Sequence, residues 1–334
     1  MKAKDRETTK ELLQALLESS KITTIRSIYE RIEPWKDGKI RTTLSPTTET
    51  GRLASRGRKR KDWPGWEYST NLQNPPKKAA KLDPLYEVRN VIIPSKSCVL
   101  IEADLNQAEA RTACAYARDY NTLKLFDSGV DIHTITAARV LRIPVEEVTS
   151  TQREVAGKVP RHALSYGMGW PKFMKKVNDD ADLTGITITA KEAKAIHEAY
   201  RQDNPALIRW WDEVTAEVRR QGFLVNAFGR KRIFIDQSDD KDQIAYLPQS
   251  TMADHLNDRL IAVFERLDGN LLRVLHQIHD AILVEAPYAS WRSAAKALKA
   301  VMTKSIQIGE ISLTIPVEVS VSSQSWGKMK KMKI

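Results

Sequence analysis

The order of apolar and polar residues predicts a chain of helices and short strands. Leu and Ile recur at helical spacing over residues 1–33, which predicts two short helices, and helical patterns return at 190–221 and 241–266. Residues 98–101 form a short apolar run, as expected of a buried strand, and an Ala-rich segment of good helix formers follows. Two further strand-like runs lie within residues 271–285. The polar residues that could carry a catalytic or binding function lie on these helices and strands or next to them.

Composition narrows the class of protein. At 334 residues the chain is long for a single core, so about two domains or subdomains are expected, and 42% hydrophobic residues indicate a globular protein. The net charge of +11 points to a polyanionic partner, either nucleic acid or a membrane surface. Because the chain has no run of about 18 apolar residues and no apolar signal-peptide core, nucleic acid is the better candidate. The two cysteines, Cys98 and Cys114, support neither a disulfide framework nor a Cys-based zinc site.

Two aspartates occupy the ends of predicted strands. Asp104 follows the 98–101 run where its apolar character gives out, and Asp280 lies with His279 between two strand-like runs, the place of a tight turn. A rigidly held carboxylate suits a hard cation such as Mg²⁺, which takes oxygen ligands and keeps water or phosphates in its other positions. The alternatives are structural: Asp104 could cap the following helix, and Asp280 could be an ordinary turn residue.

A basic and aromatic loop is predicted at residues 56–68, with five basic residues among the first six and three aromatics behind them. Such segments can hold phosphates and stack bases, whereas the alternative is a solvated loop or a localisation-like patch. The candidates for nucleic-acid contact are Arg58, Lys59, Arg60 and Lys61. The polar segment 71–74, which ends before two prolines, could present its amides into a groove.

A third group of residues shares one face of a predicted helix. Lys158, His162 and Tyr166 recur every four residues and so span about 12 Å along one side. Pro160 implies either a kink or a helix that begins near Val159. A cation, an imidazole and a phenol in one line could grip a triphosphate and cover a base. The alternative is a solvated basic helix face.

Taken together, these segments resemble the polymerase region of the family A DNA polymerases. Residues 104–111 (Asp-Leu-Asn-Gln-Ala-Glu-Ala-Arg) resemble the family's first metal-binding motif, residues 158–167 its nucleotide-gripping helix, and residues 277–280 (Gln-Ile-His-Asp) its third motif. Four shorter elements also match in order, at 50–53, 71–74, 131–133 and 249–254. The resemblance covers about residues 38–327, and seven motifs in the right order are hard to explain by chance.

The resemblance implies a role for each motif residue. Asp104 and Asp280, with Leu105 as a further candidate ligand, would hold two Mg²⁺, for which Mn²⁺ is a possible substitute. Lys158 would contact the triphosphate as a catalytic residue, and Glu109 would occupy the place of a ribonucleotide 2′-hydroxyl. The other candidate nucleotide-binding residues are Arg153, Arg161, His162 and Tyr166. The candidate DNA-binding residues, besides the four of the basic loop, are Arg52, Asn71, Gln73, Asn74, Arg111, Gln249 and His279.

The same resemblance implies an α+β fold, a right-hand polymerase with an antiparallel-sheet palm, helical fingers and a minimal thumb. We expect N-terminal helices at 1–33 as a thumb remnant, palm at 34–125 and 241–334, and fingers at 126–240. The expected activity is template-directed addition of deoxynucleotides to a primer 3′ end, without a proofreading exonuclease. Primer-template DNA and dNTPs are the expected partners, a clamp or accessory protein could supply processivity, and no membrane is involved. A cytoplasmic, bacterial or phage-encoded enzyme fits these expectations.

Four positions depart from the family pattern. Glu154 stands where the helix motif carries Arg, His162 where it carries Phe or Tyr, Ala245 where Asn is usual, and Ala281 where an acidic residue is usual. The two aspartates and Glu109 are intact. We therefore expect activity with altered fidelity or rate.

Two other functions remain open on the sequence. A single-subunit RNA polymerase would share the architecture, but Glu109 opposes it because an RNA-making enzyme needs room for the 2′-hydroxyl. A non-catalytic or partner-dependent DNA-binding subunit is favoured by the substituted helix motif and the short N-terminal region. The retention of both Asp104 and Asp280 opposes it.

Overall fold

The structure is a computed structural model that describes residues 37–56, 71–73, 88–129, 131–179 and 187–334, together with Ser19, Ala181 and the backbone of His162. Apart from Ser19, the two helices predicted within residues 1–33 lie outside the described residues, as do residues 57–68 of the predicted basic loop. Those expectations stay predictions.

Eleven strands are present in the described residues. In chain order they are β1 (Thr43–Ser45), β2 (Ala54–Arg56), β3 (Cys98–Leu105), β4 (Phe223–Val225), β5 (Lys231–Ile233), β6 (Arg273–Ile278), β7 (Ala281–Pro287), β8 (Ser305–Ile308), β9 (Ile311–Thr314), β10 (Val317–Ser322) and β11 (Lys330–Met332). The central sheet has the spatial order β11–β10–β3–β7–β6, and every neighbouring pair in it is antiparallel. The other six strands form three two-stranded hairpins.

Helices make up most of the remainder. They are α1 (Ala108–Tyr116), α2 (Tyr120–Asp127), α3 (Ile132–Leu141), α4 (Ser150–Gln152), α5 (Val159–Ala163), α6 (Trp170–Asp179), α7 (Ala190–Asp203), α8 (Pro205–Gln221), α9 (Asp240–Leu267) and α10 (Trp291–Met302). A π-helix at Arg153–Lys158 joins α4 to α5, and a 3₁₀ turn at Leu164–Tyr166 follows α5. No helix among the described residues is both long and apolar enough to cross a membrane. Helices beside an antiparallel sheet confirm the predicted α+β class.

The two faces of the central sheet differ because side chains alternate along β3. One face packs into the main core with α9 and α10; from β3 it takes Val99, Ile101, Ala103 and Leu105. On the other face Leu100 joins a small cluster with Trp326, whose Nε1 donates to Glu102 at 2.7 Å. Asp104 continues this second series and is half-buried. The alternation therefore places the Asp104 carboxylate on the face opposite the main core.

Strand β3 is longer than its apolar run. It extends through Asp104 to Leu105, so Asp104 lies within the strand instead of after it. The residue that caps α1 is Gln107, in a left-handed conformation with φ of 50°. These positions exclude the alternative in which Asp104 caps the helix.

A second hydrophobic core lies among the helices between α1 and α9. Its largest buried side chains include Phe173, Tyr200, Trp210 and Trp211, contributed by α6, α7 and α8. Tyr116 at the end of α1 stacks on Trp210 with ring centroids 6.1 Å apart. This stacking joins the helical region to the helix that follows β3.

The helical run from α4 to α5 is held against α3 at close range. Pro160 implies either a kink or a helix that begins near Val159. Regular α-helix does start at Val159, with Pro160 in its first turn, but it continues directly from the π-helix Arg153–Lys158. At Gly157 a Cβ would lie 2.0 Å from the His133 carbonyl oxygen of α3. Only a residue without a side chain fits this approach.

Gly157→Ala is expected to destabilise the protein. Alanine favours a helix by about 1 kcal/mol over glycine, but the clash with the backbone of α3 cannot be relieved by a rotamer change. We expect a net loss of about 1–3 kcal/mol, typical of overpacking, measured by urea unfolding. Gly169→Ala is the control, because its Cβ would meet Pro171 at an ordinary 3.6 Å. Equal stability of the two variants would contradict the close packing.

His255 makes stability depend on pH. It is 1% exposed on α9, and among the described residues neither ring nitrogen has a hydrogen-bond partner. Burial, with help from the charge of Arg259, lowers the pKa of His255 to about 4. Because the unfolded chain has the higher histidine pKa, it binds the extra proton between about pH 6.5 and 4. Stability is therefore full above this window and falls as the pH drops through it.

The unfolding free energy should fall between pH 7 and pH 5, and His255→Leu should reduce that fall. Removing the titration of one histidine reduces the slope of the unfolding free energy against pH by up to about 1.4 kcal/mol per pH unit. His276, whose pKa burial also lowers to about 4, should keep part of the dependence in the variant. Denaturant unfolding at both pH values measures the effect. An unchanged pH dependence in the variant would show that His255 is not the group responsible.

Candidate active site

Asp104 lies near the end of β3, and Asp280 lies in the turn before the neighbouring strand β7. The register of β3 against β7 pairs Asp104 with Ala281, and the Leu105 N–H donates to the Asp280 carbonyl at 3.0 Å. Both aspartate side chains are half-buried. The strand pairing thus brings two carboxylates, far apart in the sequence, to one end of the sheet.

A chain of amide contacts holds the turn that carries Asp280. His279 is exposed and has a left-handed φ of 50°, an uncommon conformation for a residue with a side chain. Gln277 Nε2 donates to the His279 carbonyl at 2.6 Å, and Gln73 Nε2 lies 3.4 Å from Gln277 Oε1. Gln73 also donates to the Leu53 carbonyl at 2.6 Å. These contacts tie the β6–β7 turn to the segments that contain Gln73 and Leu53.

A cavity of about 100 Å³ opens beside Asp280. Four predicted site residues line it, each from a different element: Glu109, Arg161, Tyr166 and Asp280. Among the other lining residues are His133 and Ser165. The structure therefore gathers predicted nucleotide-binding and metal-binding residues around one small space.

Glu109 is the centre of the polar contacts in this cavity. Arg52 donates to its carboxylate. Burial first, and then the charges of Glu109 and Asp280, raise the pKa of Tyr166 well above its usual value. The Tyr166 hydroxyl therefore stays protonated in this cavity, and Arg52 fixes the Glu109 carboxylate.

The cations predicted to grip a triphosphate are paired with carboxylates. Lys158 Nζ lies 2.8 Å from Glu154 Oε1, one helical turn earlier. Arg153 donates a hydrogen bond to Asp131. Burial tends to raise the pKa of the Asp131 carboxyl, but this hydrogen bond lowers it to about 2. Both pairs are partly exposed to solvent.

Arg161 differs from the two exposed cations. It is 6% exposed, its Nε donates to Thr136 Oγ1 at 3.0 Å, and its guanidinium lies 5.6 Å from the centre of the Phe126 ring. It faces the cavity from a fixed position between helices.

Arg111 occupies a structural position. It is 4% exposed and donates to Asp127 at 2.8 Å and to the Phe126 carbonyl at 3.0 Å. These bonds tie α1 to α2, a placement that disfavours the predicted contact with DNA.

The remaining candidates for DNA contact are distributed over several elements. Gln249 is half-buried on α9, and Asn71 is half-buried two residues before Gln73. Other candidates lie outside the described residues; they are Arg58, Lys59, Arg60, Lys61 and Asn74.

Asp254 was not among the predicted site residues, although it anchors the surroundings of the site. Its carboxylate accepts from Arg230 Nε at 2.9 Å and Nη2 at 2.6 Å, and from Asn226 Nδ2 at 2.8 Å. The Arg230 guanidinium packs so closely on Gly51, whose φ is 78°, that a Cβ there would lie 2.7 Å away. Asp254 thus connects α9, the β4–β5 hairpin and the 50–53 element. The sequence signal was its place in the 249–254 motif; nothing in the sequence pointed to Arg230.

Asp104 has a second carboxylate neighbour that the sequence analysis missed. The register pairs Asp104 with Ala281 on one side and with Glu318 of β10 on the other. Glu318 accepts from Asn106 Nδ2 and pairs with Lys331 of β11. Ala281, where the family pattern has an acidic residue, therefore provides no carboxylate on one side of Asp104, whereas Glu318 provides one on the other side. The alternation of apolar and polar residues over 317–321 was the sequence signal from which Glu318 could have been found.

The carboxylates of the site fit a metal ion that takes some of its ligands from the substrate better than an ion held by protein ligands alone. Within the described ranges, no three His, Cys, Asp or Glu side chains are grouped to hold a metal ion. Mg²⁺ at a phosphate site, however, commonly takes one or two carboxylates and completes its shell with phosphate oxygens and water. The paired aspartates are oxygen donors of this kind.

The family model of DNA polymerase family A matches residues 2–328 of this chain. The chain belongs to this family. A thermostable DNA polymerase I from Thermus aquaticus is 28% identical over 338 residues, which cover 96% of this chain and 37% of that protein. DNA polymerase I from Caldicellulosiruptor bescii is 29% identical over 311 residues, which cover 90% of this chain and 33% of that protein.

A solved structure has the same fold. The POL domain of Pol1 from M. smegmatis, in complex with DNA primer-template and dNTP, superposes with a TM-score of 0.78 at 23% identity, covering 96% of this chain and 54% of that one. The predicted fold class is confirmed. The chain spans about a third of the length of the curated relatives named above.

Asp254→Asn should loosen the β4–β5 hairpin. The substitution keeps the shape of the side chain but removes the charge that strengthens both Arg230 bonds, so we expect a loss of about 1–3 kcal/mol in unfolding free energy. Faster hydrogen exchange at the Asn226 and Arg230 amides should accompany it. The control is Glu213→Gln, which breaks an exposed pair with Arg118 and should change stability by less than about 0.5 kcal/mol. Equal effects of the two substitutions would mean that Asp254 is not an anchor.

Proposed function

We propose that this chain is a DNA-directed DNA polymerase that adds deoxynucleotides to the 3′ end of a primer. The observation that carries the proposal is the strand pairing that brings the turn residue Asp280 beside the end of β3, where Asp104 lies, next to the cavity lined by Glu109, Arg161 and Tyr166. In this reaction the primer 3′-hydroxyl oxygen bonds to the α-phosphorus, the bond between the α- and β-phosphates breaks, and pyrophosphate leaves. Membership of family A supports the same activity.

Two Mg²⁺ are the proposed metal ions, with Mn²⁺ as a possible substitute. Asp104, Asp280 and the carbonyl of Leu105 are hard oxygen donors at one end of the sheet, the ligand type that Mg²⁺ prefers. When bound, such ions favour ionisation of the primer hydroxyl and neutralise charge on the leaving pyrophosphate. The protein's own contribution is to hold the two carboxylates at one end of the sheet, Asp104 on β3 and Asp280 in the β6–β7 turn, where their mutual repulsion favours uptake of cations.

The cavity residues are proposed to position the nucleotide. Glu109, fixed by Arg52, would stand at the sugar and exclude a 2′-hydroxyl. Lys158, Arg153 and Arg161 would offer positive charge to the triphosphate, where negative charge develops in the transition state. Tyr166 would stack near the templating pair, and His162 would lie beside the nucleotide.

The duplex is proposed to run across the surfaces that carry the remaining motif residues. Arg52, Gln73, Gln249 and His279 come from segments tied to the site by the contacts of the β6–β7 turn and of Asp254. The basic loop would add phosphate contacts. A partner protein that supplies processivity, and the lack of proofreading, stay predictions.

The division of the chain into palm and fingers is also a proposal. The five-stranded sheet and its core lie within 34–125 and 241–334, the proposed palm. Most of the second core comes from residues within 126–240, the proposed fingers. The proposed thumb remnant is residues 1–33, which lie outside the described residues apart from Ser19.

A non-catalytic DNA-binding subunit is the second candidate function. The pairing of Lys158 with Glu154 and of Arg153 with Asp131 favours it, because neither cation is presented alone to a triphosphate. The neighbouring aspartates favour the enzyme. Primer extension distinguishes the two.

Asp104→Asn and Asp280→Asn should each abolish extension of a labelled primer on a DNA template with Mg²⁺ and dNTPs. Loss of one metal-binding carboxylate removes several kcal/mol of transition-state stabilisation, so we expect a fall of about a thousandfold. Asp203→Asn, an exposed carboxylate on α7, is the control and should extend like the wild type. Salt-sensitive primer-template binding without extension by the wild type would favour the non-catalytic subunit. A primer with a mismatched 3′ end tests for proofreading in the same assay.

A further inference from the structure

Glu154 forms a direct ion pair with the cation that is proposed to receive the triphosphate. Its Oε1 lies 2.8 Å from Lys158 Nζ, and the two side chains are 30% and 44% exposed. The order, with the acid one turn N-terminal to the base, is the favourable one for a helical pair. The pair spans the π-helical segment Arg153–Lys158, which ends where α5 begins.

Two of the three cations on this helical run are paired with carboxylates. Arg153 is paired with Asp131 of the α3 N-terminus, as Lys158 is with Glu154. Arg161 is buried and bonded to Thr136. A polyanionic triphosphate that approaches the run therefore meets two cations already compensated by carboxylates.

We propose that Glu154 is a positioning residue that holds Lys158 until a nucleoside triphosphate displaces its carboxylate. This inference rests on the proposed polymerase function. The triphosphate must break the Glu154–Lys158 pair to reach the ammonium group, so the pair weakens the binding of any nucleotide through its phosphates. A larger share of the binding then comes from the base and the sugar. Once Lys158 has moved to the phosphates, the chemical step proceeds as it would without Glu154.

The KM for dNTP of Glu154→Gln, compared with its kcat, tests this inference. We expect KM to fall about fivefold, which equals about 1 kcal/mol, the upper end for an exposed ion pair. The kcat should stay within about twofold. The matched control is Asp179→Asn, which removes the Lys175–Asp179 pair at the same spacing and length, 2.8 Å, and changes the net charge equally. It should leave KM unchanged. Equal KM values for Glu154→Gln and the wild type, or equal shifts in the variant and its control, would overturn the inference.

Binding of inorganic tripolyphosphate, measured by isothermal titration calorimetry without DNA, provides a second readout. Glu154→Gln should bind it about fivefold more tightly in the wild-type background. In a Lys158→Gln background the same substitution should change the affinity by less than about twofold, because the group that Glu154 holds is gone. An equal gain in both backgrounds would show that Glu154 acts by direct repulsion and not through Lys158, and would overturn the inference.

The two proposals fail in different ways. A wild type that extends primers while Glu154→Gln leaves KM and tripolyphosphate binding unchanged keeps the polymerase and removes the role of Glu154. A wild type that extends no primer removes the polymerase, and the tripolyphosphate comparison still reports whether Glu154 controls access to Lys158.

Discussion

The antiparallel pairing of β3 with β7 is the constraint on which the proposed site depends. It fixes Asp104 opposite Ala281 and brings the Leu105 N–H to the Asp280 carbonyl. Because side chains alternate along a strand, a slip of one residue would turn Asp104 into the main core. The apolar series that includes Ile101 and Ala103 prevents that slip by burying the opposite face. The hydrophobic core of the sheet thus determines where the carboxylates lie.

The surroundings of the two aspartates are held by polar contacts between elements that are distant in sequence. Gln277 and Gln73 fix the turn before Asp280, and Asp254 fixes the hairpin that carries Arg230. Glu109, which lines the cavity, is held by Arg52. These contacts fix the positions of the elements around the two aspartates. Such preorganisation is what electrostatic catalysis of phosphoryl transfer requires.

The sequence predicted the features that depend on local pattern. The apolar run before Asp104 and the two runs around His279 identified the strands, and Pro160 marked the place where the π-helix passes into α5. Positions set by tertiary packing were not predictable: Arg111 is buried between α1 and α2, and Arg230 contacts a carboxylate 24 residues away. The Glu154–Lys158 pair was within reach of the sequence, since an acid four residues before a base is a known helical pair. The family motif carries an arginine at the position of Glu154, so the sequence pattern alone identified this residue only as a departure.

The central claim is that Asp104 and Asp280 together hold divalent cations, and iron-mediated cleavage tests it most directly. Fe²⁺ bound in place of Mg²⁺ reduces added hydrogen peroxide to hydroxide and a hydroxyl radical, with Fe²⁺ oxidised to Fe³⁺, and the radical cuts the backbone close to the metal site. The account predicts fragments that end near Asp104 at the end of β3 and near Asp280 in the β6–β7 turn, suppressed by excess Mg²⁺ and lost in Asp104→Asn. Cleavage elsewhere, or the same fragments in the variant, would contradict it.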